Sequence, residues 1–252
     1  MKKIIKPENL KILIPAAGIL GALLQVILYL TGIDEKGLLV RWHWAGVLTW
    51  ALTLAVAATV FLGCRKLRGS RHYKRCYPAS VPGGIGCFFC SAGFLLTGLS
   101  HRHAAESMLD TAAAVLCFGS AAAMIWVGIC RIRRKKPYFL CHAVVSLCFA
   151  LLMVGQYRVR SSDPQLMDYC FYMTALVMLM LTGYQMAAFD AGIGNHRKLW
   201  MSALGAVYLC LVGAYNSGNA LFMVSCAVWA LTNLTNLKLR RRAVQPPAQE
   251  GA

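Results

Sequence analysis

Thr111–Cys130 reads TAAAVLCFGSAAAMIWVGIC, and Arg131–Lys136 follows at once as RIRRKK. The first stretch carries no charge over its full length. Twenty such residues rise ~30 Å as a helix, which matches the hydrocarbon thickness of a bilayer. The second stretch is nearly all cationic, as a segment leaving the membrane on its cytoplasmic side would be.

The same alternation of apolar run and polar break extends in both directions. It predicts spans near 11–30, 45–63, 82–99, 108–130, 138–157, 166–188, 199–215 and 220–237. The fold class expected is therefore an all-α integral membrane protein, a bundle of about eight transmembrane helices in one polytopic domain over 1–237. A basic and then disordered cytoplasmic tail is expected over 238–252. The seventh and eighth runs are kept apart by Tyr215-Asn216-Ser217-Gly218-Asn219, a turn-forming pentapeptide that reads as a tight hairpin.

Boundary signals agree with these limits. Pro82 and Pro137 fit first-turn positions, where a missing N–H costs nothing. Ser107 to Asp110 resembles a capping box, and Asp163-Pro164 reads as an N-cap followed by the first helical residue. Pro15 falls in the first turns of its span. Met1-Lys2-Lys3 precedes an apolar run too long for a secretory signal and followed by no small-residue cleavage pattern, so an uncleaved first span is expected.

Composition fits a chain dissolved in lipid. Of 252 residues, 58% are hydrophobic and only 14% charged, against about 25% charged in soluble domains. The net charge of +17 does not indicate a nucleic-acid partner, because the basic residues are not gathered on one polar surface. They sit between the spans. With eight spans, 21 of the 26 Lys and Arg residues fall on one side. The positive-inside rule assigns that side, with both termini, to the cytoplasm. Tyr29, Trp42, Trp44, Tyr157, Tyr169 and Tyr215 would form an outer aromatic belt, and Tyr77, Trp126, Tyr138 and Trp200 an inner one. The 65–75 loop, with six basic residues, would attract anionic lipid headgroups.

The outer connections contain none of the eleven cysteines, so no structural disulfide is expected. Cys87-Phe88-Phe89-Cys90 is a CxxC placed inside a span, where cysteine acts as a small apolar residue. Small-residue ridges mark helix contact faces. They are Ala51, Ala55, Thr59 and Gly63, then Ala45, Thr49, Thr53 and Ala57, and in the seventh span Ser202, Ala206, Cys210 and Ala214. Ala112–Ala114 and Gly119–Ala123 supply another in the fourth. Division into two parallel four-helix repeats is one further reading, since spans four and eight both run inward and end in a basic cluster.

Ionisable residues within spans are the usual pointers to function, and mid-depth positions hold none. Asp110 and Asp168 fall in outer turns, and His142 near the inner end of the fifth span. Gln25, Gln156, Gln185, Asn233 and Asn236 remain as polar lining candidates. On the outer face His43, His101 and His103, with Glu106, could take Zn²⁺ or another divalent metal, although no fixed ligand spacing such as HExxH is present. No other cofactor is indicated. The chain has no phosphate-binding P-loop, no GxSxG and no paired histidines for haem.

Tyr29–Leu39 (YLTGIDEKGLL), the Trp-rich second span and Arg65-Lys66-Leu67-Arg68-Gly69 together resemble small uncharacterised multi-span proteins of anaerobic Gram-positive bacteria. The resemblance covers residues 28–80. It implies a bacterial plasma membrane and carries no activity. Non-enzymatic, permease-like handling of a small solute is the first functional expectation. An accessory subunit bound to other membrane proteins is the second, and a membrane enzyme using the outer histidines or inner thiols is the third. Convergence of Gln25, Gln156, Gln185 and Asn233 on one hydrated cavity would favour transport; a closed apolar core would favour the accessory role.

Overall fold

The computed structural model describes residues 7–32, 42–65, 67, 77–103, 107–161 and 166–237. Eight α-helices account for nearly all of them. They are α1 (Pro7–Thr31), α2 (Trp44–Cys64), α3 (Val81–His103), α4 (Met108–Ile132), α5 (Phe139–Arg160), α6 (Leu166–Ala191), α7 (His196–Gly213) and α8 (Ala220–Asn236). Each contains one expected apolar run. The 238–252 tail, Cys76, Glu106 and Asp163-Pro164 lie outside the described residues.

α1 to α6 are long and apolar enough to cross a membrane. α7 and α8 do not reach that standard alone. α7 opens on His196-Arg197-Lys198, and α8 has 17 residues, ~26 Å of helix. Both are nevertheless core elements, and thirteen of the eighteen residues of α7 are buried. A helix screened by its neighbours meets little lipid, so it does not need a full apolar length of its own.

Local chemistry sets the helix ends. Ser107 Oγ accepts from the Asp110 N–H at 3.2 Å and donates to Asp110 Oδ2 at 2.7 Å, so the capping box forms. Pro82 occupies the first turn of α3. Pro137 instead precedes α5, whose N-cap is Tyr138. Between α7 and α8 the chain makes a single 3₁₀ turn, Tyr215–Ser217, and reverses at Gly218 with φ +65°, a conformation glycine adopts without strain.

The helices alternate in direction. α3, α4, α5, α6, α7 and α8 pack in sequence, and α8 returns to α3, closing a six-membered ring. The α1–α2 hairpin leans on α7 from outside that ring. Partners in the two halves of the chain differ: α6 packs on α7, whereas α2 and α3 form no such seam among the described residues. Phe94, Phe149, Phe222 and Trp229 fill the ring's centre. Phe94 stands 5.3 Å, centroid to centroid, from both Phe149 and Phe222, and Phe149 lies 6.4 Å from Trp229. All four are buried.

Small residues admit the closest approaches. A Cβ on Gly84 would lie 3.1 Å from the Gly128 carbonyl, and one on Gly128 would lie 3.2 Å from the Gly84 carbonyl. α3 and α4 thus cross backbone to backbone. The α7 ridge is a contact face, with Ser202, Ala206 and Cys210 buried. On α2 the two ridges differ. Ala45 and Thr49 are buried and Thr53 bonds Tyr208 Oη at 2.8 Å, whereas Ala51 and Ala55 face outward.

Candidate functional site

One end of the bundle gathers the starts of α1, α3, α5 and α7 and the ends of the other four helices, with the described cations Arg131 to Lys136 and Arg197-Lys198. The buried ionisable side chains Arg131, His142, Asp190 and His196 lie there. His142, in the first turn of α5, and Asp190, next to last in α6, meet Nδ1 to Oδ2 at 2.6 Å with both side chains fully buried. The His142 ring lies 6.4 Å from that of Trp229, at 24°. Asp190 Oδ1 and His142 Nε2 are buried and without a hydrogen-bond partner among the described residues.

Beside this pair lies a second group. Arg131, in the last turn of α4, is 2% exposed. Its guanidinium sits 3.9 Å above the Tyr77 ring, and its Nη2 donates to Asn233 Oδ1 at 2.8 Å. Asn233 Nδ2 donates in turn to the Trp229 carbonyl at 2.9 Å. Tyr77 Oη donates to Met186 Sδ at 3.3 Å, and the Tyr77 ring meets Phe189 edge-on at 6.0 Å. Stacking and a fixed planar donor set suit arginine here rather than lysine. Trp229 joins the two groups, its ring beside that of His142 and its carbonyl bonded to Asn233.

A cavity of about 590 Å³ opens at this end. Lys135 and Lys136 line it beside Trp126, Cys130 and Tyr138, and Asp190 forms part of its wall. Asp190 thus lies between the cavity and the core, with its side chain buried and His142 Nδ1 on one carboxylate oxygen. The aromatic plug closes the ring beyond.

The polar lining candidates do not share one site. Gln25, buried on α1, and Gln156, half-buried on α5, lie near the opposite end of the bundle. Gln185 lines a lateral groove beside α7. Asn233 joins the Arg131 group, and Asn236 donates to the Thr232 carbonyl of its own helix at 2.7 Å. Of the outer histidines, His43 caps α2 through Nδ1 at 3.4 Å, and its Nε2 lies 3.3 Å from Thr31 Oγ1. His101 Nδ1 lies 3.5 Å from Asp110 Oδ1. His103 is exposed at the end of α3, and Glu106 lies outside the described residues. No cluster of three or more His, Cys, Asp or Glu side chains able to hold a metal forms among the described residues.

Two expectations need correction. Tyr77 and Trp200, assigned to an inner aromatic belt, are buried at 5% and 0%. Tyr77 turns inward onto Arg131, and Trp200 packs inside with the Lys11 ammonium 5.4 Å from its ring. Arg131, counted among loop charges, is a core residue. The ten described cysteines are free thiols. Cys87 and Cys90 are both buried, and Cys117 Sγ lies 3.6 Å from Cys148 Sγ between α4 and α5.

Asp190 was open to discovery from sequence. It is the lone acidic residue between Arg65 and Lys198 on the side rich in cations, and it closes a long apolar run. Protein-family models, curated proteins and solved structures were all compared with this chain, and none matches. The fold and site therefore define a class: an all-α bundle with the architecture of a membrane-embedded protein, carrying buried charge at its basic end.

Proposed function

We propose that this chain is an eight-span, non-enzymatic, permease-like protein of the bacterial plasma membrane, with both termini in the cytoplasm. In this reading it accepts a small polar solute from the cytoplasmic side, in the cavity that ends on Asp190. The observation carrying the proposal is that cavity, which Asp190 helps to line together with two lysines. Charge within a membrane helix is costly and is retained where a solute or proton needs it. A well-packed apolar pair would hold α5 to α6 at least as firmly as His142–Asp190. Asp190 Oδ1 accepts from the solute's donor, Lys135 and Lys136 draw its anionic part, and Trp126, Tyr138 and Phe139 supply apolar walls. The plug of Phe94, Phe149 and Phe222 blocks a continuous pore. Passage then requires rearrangement of the α3–α8 ring, which makes the protein a carrier rather than a channel.

Topology is tested by reporter fusions at residue 70 and at the C-terminus. Both should report cytoplasm, and an external signal from either overturns the orientation. The site is tested by melting the purified protein against a panel of amino acids, polyamines, sugars, organic acids and nucleosides. At least one class should raise the midpoint of wild type and have no effect on Asp190→Asn. Lys135→Gln/Lys136→Gln, in which both changes are at exposed positions, should lose most of the same shift. A panel that leaves wild type unmoved, or moves all three proteins equally, removes the cavity as the site.

A second reading has its own support. Ala51 and Ala55 present an outward small-residue face on α2, suited to close contact with a helix of another membrane protein. If the chain is an accessory subunit, Ala51→Leu/Ala55→Leu should release it from a larger assembly in mild detergent.

A further inference from the structure

A second concavity lies on the flank of the bundle. α2 and α6 stand on either side of α7 and leave a groove of about 720 Å³ between them. Its walls are almost wholly apolar, with Val56 and Val60 from α2, Leu181 from α6, and Met201 and Leu209 from α7. Of its four hydroxyl-bearing lining residues, Thr53 and Tyr208 bond each other and Ser202 bonds the Leu199 carbonyl of its own helix; Tyr184 is the fourth.

Charge is confined to one end. Lys198 and Gln185 line the groove there. Arg197, one residue before Lys198, holds its guanidinium 5.8 Å from the ring of Phe61, which also lines the groove. Along α7 the lining runs from Lys198 to Leu209, a rise of ~16 Å. That is about half of a ~30 Å hydrocarbon core. The groove therefore spans a single leaflet, the one on the basic side, with its cations at headgroup depth.

We propose that this groove binds one anionic phospholipid of the leaflet on the basic side. An acyl chain lies along α7 between α2 and α6, and the phosphate faces Lys198 and Arg197. The volume fits the ~300–1,000 Å³ of small-molecule sites. One cationic end and one largely apolar body match an amphiphile rather than a water-soluble solute. The cations select an anionic headgroup over a zwitterionic one. The inference requires only that the bundle sit in a bilayer, and it stands independently of the Asp190 cavity.

The test uses the full chain purified in dodecyl maltoside. Phosphatidylglycerol and phosphatidylcholine of identical acyl chains are titrated, and bound lipid is counted by native mass spectrometry. Wild type should retain one phosphatidylglycerol at least about five-fold more tightly than phosphatidylcholine, the selectivity expected from each cation near a headgroup. Lys198→Gln/Arg197→Gln should abolish that preference without lowering the melting temperature. Gly205→Leu should weaken both lipids by filling the groove. A Cβ at Gly205 meets Met178 Sδ at an ordinary 3.5 Å, so the added side chain has room. Equal retention of the two lipids by wild type, or unchanged preference in the charge variant, overturns the proposal. So does a wild-type dimer that Gly205→Leu converts to monomer, because a second copy would then occupy the groove.

Discussion

Asp190→Leu should lower the unfolding free energy by about 3–5 kcal/mol if the His142–Asp190 pair is ionic, and by about 1–3 kcal/mol if the imidazole is neutral. In both cases the single change strands His142 Nδ1 in a fully buried position, where no water can replace the lost acceptor. His142→Leu should be similarly harmful, because it leaves a buried carboxylate with neither oxygen hydrogen-bonded. The double variant His142→Leu/Asp190→Leu should recover most of the loss, since two apolar side chains of comparable size can join α5 to α6 without a polar atom to satisfy. The measurement is a double-mutant cycle by SDS titration in mixed micelles, and the coupling should reach about 2–4 kcal/mol. Additive single effects would mean that the two side chains do not share a proton or a charge. A folded double variant that has lost the solute response would separate the site's function from its contribution to stability.

The helices themselves were legible in the sequence, and most of their faces were not. Runs such as Thr111–Cys130 are bounded by charge and turn residues, so their existence and order follow from length and hydropathy. Lipid and protein interior are both apolar. The pattern that marks the inner face of a soluble helix is therefore weak in a membrane. Hence Ala51 and Ala55 read as a contact face as readily as Ala45 and Thr49, and only the second pair is buried. Selection by polarity alone assembled Gln25, Gln156, Gln185, Asn233 and Asn236, which lie at different depths and on different neighbours. The groups that do converge, Arg131, His142, Asp190 and Asn233, come from four helices. Their meeting depends on ring closure from α3 to α8, which no local pattern encodes. Counting charges by connection also assigns Arg131 a side of the membrane but not a direction. Its neighbours Arg133 and Arg134 are exposed while it points into the core.

That contrast yields a prediction in which a substitution usually regarded as mild has a large effect. If Arg131 only set topology, lysine would replace it without loss, because the positive-inside rule counts charge and not shape. Buried over Tyr77 and bonded to Asn233, it uses the planar guanidinium for stacking and for a directed donor, neither of which an ammonium reproduces. A desolvated cation–π contact contributes about 2 kcal/mol, and a hydrogen bond to a charged donor about 1.5–3 kcal/mol. Lysine keeps the charge in the core but recovers only part of each. Arg131→Lys should therefore cost about 2 kcal/mol or more, and Arg131→Ala about 3–5 kcal/mol, through lost packing and an orphaned Asn233 Oδ1. Arg131→Met/Asn233→Leu should be closer to wild type than Arg131→Ala, because it removes both polar partners and keeps the volume. Arg133→Lys, two residues further on and exposed, is the control and should shift stability by less than about 0.5 kcal/mol. The comparison is read from SDS-unfolding midpoints alongside the C-terminal reporter. Unchanged topology with a destabilised Arg131→Lys identifies a core arginine. Equal stability of Arg131→Lys and Arg133→Lys would return Arg131 to the solvated basic loop and detach Asn233 and Tyr77 from the site.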